Sequence, residues 1–375
     1  HGMHFDEETR MIRVLHVVTY MGRGGLESMI MNYYRRMDRK KIQFDFLVHR
    51  RERAEFDDEI ENLGGKIYRL PRLIPWSRSY LNVLDRFFEI HPEYKIVHVH
   101  QDCLSSVILK AAARYNIPVR IAHSHCSSQN RDLKYPVKLW YMRSIPKYAT
   151  DLIACGKDAG DWMFGGAPYH IINNAVDTSL YTYSPVRREK VQQQLEVSDH
   201  LVVGHVGRFN QPKNHPFLID IFAALLKKEP SSILLLVGGG EDMPKIQAKA
   251  QAMGIAEHVR FLGVRSDVAD LMQAMDVFVF PSLYEGLPVT MVEAQTAGLP
   301  CFISDKVPTE CIIAEDLVDV LPLSADSETW AEKILEKRDF PRTDRQSEIA
   351  AHGFDINTEA VKLQEFYINA YEQNC

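Results

Sequence analysis

The chain has 375 residues, enough for two or three domains of ordinary size, each with its own core. Apolar residues make up 46% and charged residues 25%, a globular usage that excludes collagen-like, disordered and disulfide-scaffold chains. With 44 Lys and Arg against 50 Asp and Glu the formal charge is −6, which argues against a nucleic-acid partner, since dedicated binders carry a basic excess.

The charge is unevenly spread. Through Asp177 there are 26 Lys/Arg against 21 Asp/Glu, a net of +5, and the remainder carries 18 against 29, a net of −11. A basic first half suits an anionic acceptor or peripheral contact with anionic lipid at a membrane face; Arg35, Arg36, Arg39, Lys40, Lys41, Arg50, Arg51, Arg53, Arg69, Arg72 and Arg78 carry it. Solvated helix faces are the plain alternative. The six cysteines form no C-x-x-C pair and read as reduced thiols of a cytoplasmic protein. No apolar run approaches the roughly 20 residues that span a bilayer. Residues 1–10 are polar and precede a possible start at Met11, so they read as tag or leader.

Short β-branched runs, each followed by a helical pattern, begin with Arg13–Tyr20, Ile42–Val48, Lys66–Leu70 and Ile96–His100, and continue with Val119–Ala122, Asp151–Ala154 and His170–Asn173. Such alternation predicts a parallel sheet covered by helices. A second series runs through Leu201–Val206, Ser232–Val237, His258–Leu262, Asp276–Phe280, Pro300–Ser304 and Leu317–Leu321. The division that follows is a first domain over 11–178, a polar linker over 179–190 and a second domain over 191–355. The segment 356–375 is helical by the spacing of Ala360, Leu363, Phe366, Tyr367 and Ala370. A cleft between two doubly wound domains is the expected ligand site.

Four groups of residues could carry chemistry. After the first strand, Met21-Gly22-Arg23-Gly24-Gly25 opens a helix where backbone N–H groups could meet a phosphate, although Glu27 stands where a dinucleotide fingerprint needs glycine. A simple tight turn explains that loop equally well. Arg208 and Lys213 follow a strand end, where two cations could grip a diphosphate. Glu285 and Glu293 frame Gly286-Leu287-Pro288-Val289 between a strand and an apolar helix. A carboxylate there can accept both hydroxyls of a ribose, and it can also merely cap a helix. Histidines His98, His100, His123 and His125 cluster at strand ends. The H-x-H of His123 and His125 suits a metal in geometry but has no third ligand legible in the sequence, and either ring could instead polarise a substrate hydroxyl. There is no Asp-x-Asp, so a diphosphate here would rest on cations and helix dipoles.

These motifs resemble those of the retaining glycosyltransferases of family four, with the GT-B fold, and the resemblance runs from Met11 nearly to the end. Its specific part is Val206-Gly207-Arg208 with Lys213, then Leu236-Val237-Gly238-Gly239-Gly240, Phe261-Leu262-Gly263 and the E-x7-E pair Glu285 and Glu293. Gly24-Gly25-Leu26-Glu27 and Asn173-Asn174-Ala175-Val176-Asp177 are softer matches, the latter having Ala175 where the family often has glycine. The style of Ala122-His123-Ser124-His125 and Asn214-His215-Pro216 is that of the bacterial exopolysaccharide and capsule branch.

The resemblance implies an α/β fold of two doubly wound, Rossmann-like domains facing across a cleft, with the last helix crossing back to the first domain. It implies a nucleotide-sugar donor, by family habit a UDP-sugar, and a glycan or lipid-linked saccharide acceptor. Arg208 and Lys213 would hold the diphosphate, Glu293 the ribose, and Glu285 with Gly286, Leu287, Pro288 and Val289 the sugar. Arg260 falls near the base, Gly24 and Gly25 near the phosphates, and His123 or His125 near the sugar and acceptor. No cofactor and no metal are expected. A UDP-sugar 2-epimerase-like enzyme and a non-catalytic nucleotide-sugar-binding subunit are the alternatives.

Overall fold

The computed structural model describes residues 11–126 and 131–375. Residues 1–10, expected as tag or leader, lie outside the described residues. The chain divides into two compact units, one made of the chain up to Asn174 together with Ile356–Cys375, the other of Ala175–Asp355.

The first unit is built on a seven-stranded parallel sheet. Its strands are β1 (Ile12–Val17), β2 (Ile42–Val48), β3 (Ile67–Arg69), β4 (Ile96–Val99), β5 (Val119–Ser124), β6 (Asp151–Ala154) and β7 (His170–Ile171), in the order β3-β2-β1-β4-β5-β6-β7. Each falls on a β-branched run named above. Side chains alternate across the sheet, so Leu15, Val17, Val97 and Val99 enter an aliphatic cluster closed by Leu84, Ile108 and Ala112. The opposite face carries rings instead. There His16 lies against Phe44 with centroids 4.1 Å apart, and Tyr367 meets Phe44 edge-on at 5.9 Å.

Tyr367 belongs to the terminal helix Ile356–Asn374, which packs on the helix Gly25–Arg36 and on β5. Its membership of the first unit is fixed by buried Ile356, Ala360, Leu363 and Tyr367, at helical spacing, and by the bond from Asp38 N to Gln364 Oε1 at 2.8 Å.

The second unit holds a six-stranded parallel sheet of β8 (Val202–Val206), β9 (Ile233–Val237), β10 (Val259–Gly263), β11 (Val277–Phe280), β12 (Cys301–Ser304) and β13 (Val318–Leu321), ordered β10-β9-β8-β11-β12-β13. Both faces are covered, as in other all-parallel sheets. Val203, Leu234 and Leu236 pack with Leu218, Phe222 and Trp330, while Val202, Leu235 and Val237 pack with Met275, Phe278 and Met291. Chain direction through the sheet reverses between β8 and β11, so this is where the loops at the carboxyl ends part.

The stretch 179–190, expected as a linker, is part of the second unit and mostly helical. Helices span Thr178–Tyr181 and Pro185–Leu195, the second capped by Ser184 Oγ accepting from Arg187 N. Its polar residues carry no apolar periodicity because they are held by bonds to the neighbouring elements. Arg187 pairs with Asp270 at 2.7 Å, and Arg188 reaches Asp276 and, at 2.7 Å, the carbonyl of Met275.

Candidate active site

The loop after β8 is held by glycines. Gly207 N donates to Val237 O at 3.0 Å and Phe209 N to Gly239 O at 2.9 Å, a backbone-to-backbone approach that leaves no space for side chains. A Cβ on Gly238, where φ is +131°, would stand 2.1 Å from Gly207 O; one on Gly240, where φ is +149°, would stand 2.5 Å from Phe209 O. Arg208 lies between these anchors. Its backbone is therefore fixed, while its side chain is exposed and has no side-chain partner among the described residues.

Lys213 ends the turn Gln211–Lys213, and Asn214 next to it adopts φ +60°. Asn214 Nδ2 donates to Pro281 O at 2.9 Å and Leu283 N to Pro212 O at 2.8 Å, so the loops after β8 and β11 are tied together. The ties bring Lys213 Nζ onto Glu285 Oε1 as an ion pair. Ser282 Oγ donates to the same carboxylate oxygen at 3.1 Å, and the ammonium stands 5.1 Å from the Phe280 ring centroid.

Beyond Glu285, Gly286 is exposed, and a Cβ there would meet nothing within 4 Å. The helix Val289–Thr296 then starts after Pro288 with no side chain capping it, which leaves its first N–H groups to other partners. Glu293 lies one turn in and is partly enclosed. Burial pushes its carboxyl up to about 7, against a hydrogen bond from the Tyr181 hydroxyl that favours the ionised form. Burial and this carboxyl together push the Tyr181 hydroxyl well above its usual range.

Arg260, the second residue of β10, donates from Nη1 to the carbonyl of Leu195. The structure thus brings together Lys213 and Glu285, sets Arg208 on the same loop as Lys213 and Glu293 on the helix after Glu285, and gives the Arg260 guanidinium a backbone partner.

In the first unit Gly24 caps the helix Gly25–Arg36 without a side-chain bond. The Glu27 carboxylate folds back over this terminus: a Cβ on Gly24 would lie 2.3 Å from its Oε2, and its own backbone N–H bonds it. The position read as a phosphate contact thus already faces an anion of the chain itself.

The histidines form one group. His16 and His98 are register partners on β1 and β4, and the alternation of β4 and β5 sets His100, His123 and His125 on the same face. His16 Nδ1 lies 2.9 Å from His100 Nε2, His100 Nδ1 lies 2.9 Å from His125 Nε2, and His98 Nε2 lies 2.8 Å from His123 Nδ1. His98 Nδ1 is 2.6 Å from the Tyr367 hydroxyl. Burial drives all five toward the neutral form, His16 and His125 down to about 3.

The sequence alone gave no site role to His16, Tyr181, Ser282, Asn214 or Tyr367. Only His16 left a trace, as a histidine near the end of a strand like the other four. Of the basic residues assigned to the first half, Arg35, Arg53 and Arg69 are engaged by Glu59, by Asp58 and Glu61, and by Asp57.

Residues 23–180 match the family model described as Glycosyltransferase Family 4, and residues 186–343 the one described as Glycosyl transferases group 1. A Bacillus subtilis protein named as a glycosyltransferase, EpsF, is 36% identical over 95% of this chain and 96% of its own length. The capsular polysaccharide biosynthesis glycosyltransferase CapH of Staphylococcus aureus is 23% identical over 96% of this chain and 99% of its own. Among solved structures, Anabaena HepE in complex with UDP and glucose superposes with a TM-score of 0.77 at 20% identity, over 95% of this chain and 99% of its own. That likeness shows the GT-B fold.

Proposed function

The chain belongs to the family-four glycosyltransferases of the exopolysaccharide and capsule type, and from that premise we propose that it is a retaining, metal-independent transferase. It moves a hexose from a UDP-sugar to a glycan or lipid-linked saccharide. The observation that carries this reading is the position of Arg208, Lys213, Glu285 and Glu293. All four stand on segments following β8 and β11, where the strand order reverses and where open α/β sheets take their ligands.

In this reading Arg208 forks two diphosphate oxygens, its side chain being free to do so, and Lys213 adds a point charge. Glu285 and Ser282 hold Lys213 in place, and Glu285 faces the sugar with Gly286, Leu287, Pro288 and Val289. The uncapped N–H groups of the helix Val289–Thr296 add partial positive charge toward the same anion. Glu293 accepts the ribose hydroxyls. Arg260 sits at the base side of the donor.

Chemistry by front-face attack needs no enzyme nucleophile. The leaving diphosphate oxygen takes the acceptor proton, and catalysis rests on positioning and on stabilising the departing charge. His125, partly exposed just beyond β5, and His123 behind it stand on the acceptor side.

The first unit also supports contact with anionic lipid. Trp76, Trp140 and Leu133 are 68%, 58% and 98% exposed, and Arg72, Lys134, Lys138, Arg143 and Lys147 line the neighbouring grooves. Aromatic and apolar side chains ringed by cations suit a headgroup layer. No helix among the described residues is long and apolar enough to cross a membrane. Flotation with anionic vesicles should carry the protein upward, and the Trp76→Ala/Trp140→Ala variant should stay behind.

The test of the activity is incubation with UDP-hexoses in EDTA, followed by proton NMR of the sugar slowly released to water or passed to an added acceptor. The reading requires α-configured product at first appearance. β-configured product ends the retaining assignment, an epimerised UDP-sugar turns the reading to an epimerase, and a need for divalent metal ends metal independence.

A further inference from the structure

The donor-side groups leave unused five contiguous imidazoles in the first unit. We propose that His100, His123 and His125 form a binding site for one divalent transition-metal ion of the zinc class, oriented by His16 and His98. This goes beyond the transfer reaction and does not depend on it. It departs from the sequence-based expectation that the chain binds no metal, in that a third imidazole comes from the neighbouring strand.

The ligand atoms of His100, His123 and His125 lie within 4.8 Å of one another. Two come from an H-x-H at the end of β5 and the third from the residue after β4, the strand beside it. Zinc takes three such nitrogens at about 2.0–2.1 Å and keeps a fourth position open. The other nitrogen of two ligands is already held. His98 Nε2 meets His123 Nδ1 at 2.8 Å and His16 Nδ1 meets His100 Nε2 at 2.9 Å, while His98 in turn is held by Tyr367. Outer contacts of this kind fix the ring and the tautomer of a metal-bound histidine.

The atoms left to the ion are then His123 Nε2, His100 Nδ1 and His125 Nε2. Among the described residues His123 Nε2 is buried with no hydrogen-bond partner, a costly state for a polar atom unless something binds it. His100 Nδ1 and His125 Nε2 stand 2.9 Å apart and share a proton that an ion between them would replace. Access is through His125, which alone of the three keeps solvent contact. With three imidazoles and no carboxylate, the set favours zinc, cobalt, nickel or copper over magnesium or calcium.

Cobalt(II) chloride is the probe, titrated into the full chain after chelator treatment and followed by visible absorption and by bound cobalt per chain. To remove terminal imidazoles the experiment uses a background in which His1 and His4 are serine. One equivalent with the intense bands of a tetrahedral ion is expected, displaced by zinc. His125→Asn, at the open end of the row, and His123→Gln should abolish the bands, and His98→Phe should weaken affinity about 10–100-fold while leaving the bands' shape. Circular dichroism checks that each variant folds, and should His123→Gln fail, His125→Asn decides alone. No tetrahedral bands in the background chain, or bands that survive His125→Asn, overturn the site. UDP binding measured in EDTA is expected to be unchanged by His98→Phe, which separates this outcome from the fate of the donor assignment.

Discussion

Lys213 and Glu285, 72 positions apart in sequence, meet as an ion pair because the loops that bear them are tied by Asn214 to Pro281 and by Leu283 to Pro212. The pair is mostly enclosed, with side-chain exposures of 21% and 9%. Its partners therefore hold each other in position and lose little to solvent screening. Removing one leaves an uncompensated charge. Glu285→Gln should accordingly lower both stability and turnover, and Lys213→Met/Glu285→Gln should be more stable than Glu285→Gln alone. A double-mutant cycle by denaturant unfolding checks the coupling, and additive effects would count against it.

Arg208 differs, being exposed and without a side-chain partner among the described residues. Arg208→Ala should keep the wild-type melting temperature within error. Turnover should fall at least tenfold, toward the roughly 3 kcal/mol of barrier that one preorganised donor to a developing anion supplies. Parallel melting curves and initial rates make the comparison.

Glu293 carries a pH dependence with a definite sign. Its folded-state carboxyl titrates near 7, above the ordinary value of 4.5, so the folded chain holds this proton more tightly than the unfolded chain. The stabilising contribution is complete below about 4.5 and is lost as pH climbs through about 7. Glu293→Gln should therefore lie closest to wild type in melting temperature at pH 5 and gain on it toward pH 8. Ribose hydroxyls favour the carboxylate, so UDP should bind more tightly at pH 8 than at pH 6 and release a proton. Calorimetry in two buffers of different ionisation enthalpy reads that proton.

Tyr181→Phe removes the hydrogen bond that favours the charged Glu293. The carboxyl should then titrate higher still, moving the pH at which UDP affinity falls upward. A profile unchanged from wild type would show that the tyrosine does not act on Glu293.

Gly238→Ala tests the backbone frame. The added Cβ would come within 2.1 Å of Gly207 O at a φ that L residues rarely adopt. A loss of several kcal/mol is expected, since strain of about 1–3 kcal/mol at the residue adds to displacement of the loop backbone it meets. Denaturant midpoints measure it.

Much of this fold is legible in the sequence because the inner parallel strands are buried on both faces and so read as short β-branched runs between helical patterns, the edge strands β3, β7, β10 and β13 being more open. All thirteen strands described fall on such runs. The segment 179–190 was not legible, because a helix held by Arg187 and Arg188 bonding to Asp270, Asp276 and Met275 has no apolar stripe to betray it. Site residues were legible as types at strand ends. Their contacts were not: nothing local links Lys213 to Glu285, Tyr181 to Glu293, or His100 to the H-x-H of the next strand, since each contact depends on sheet order and register.

In the proposed function a UDP-sugar is held through Glu293 and the cations beyond β8. That hold is tested most directly by thermal shift of wild type and Glu293→Ala with UDP, GDP, ADP and a panel of UDP-sugars, in EDTA. Ligands that bind only the folded chain raise its melting temperature by mass action. A shift with UDP and with one UDP-sugar above the rest, absent in Glu293→Ala, is expected. A shift by GDP or ADP alone, by none of the nucleotides, or undiminished in Glu293→Ala would contradict it.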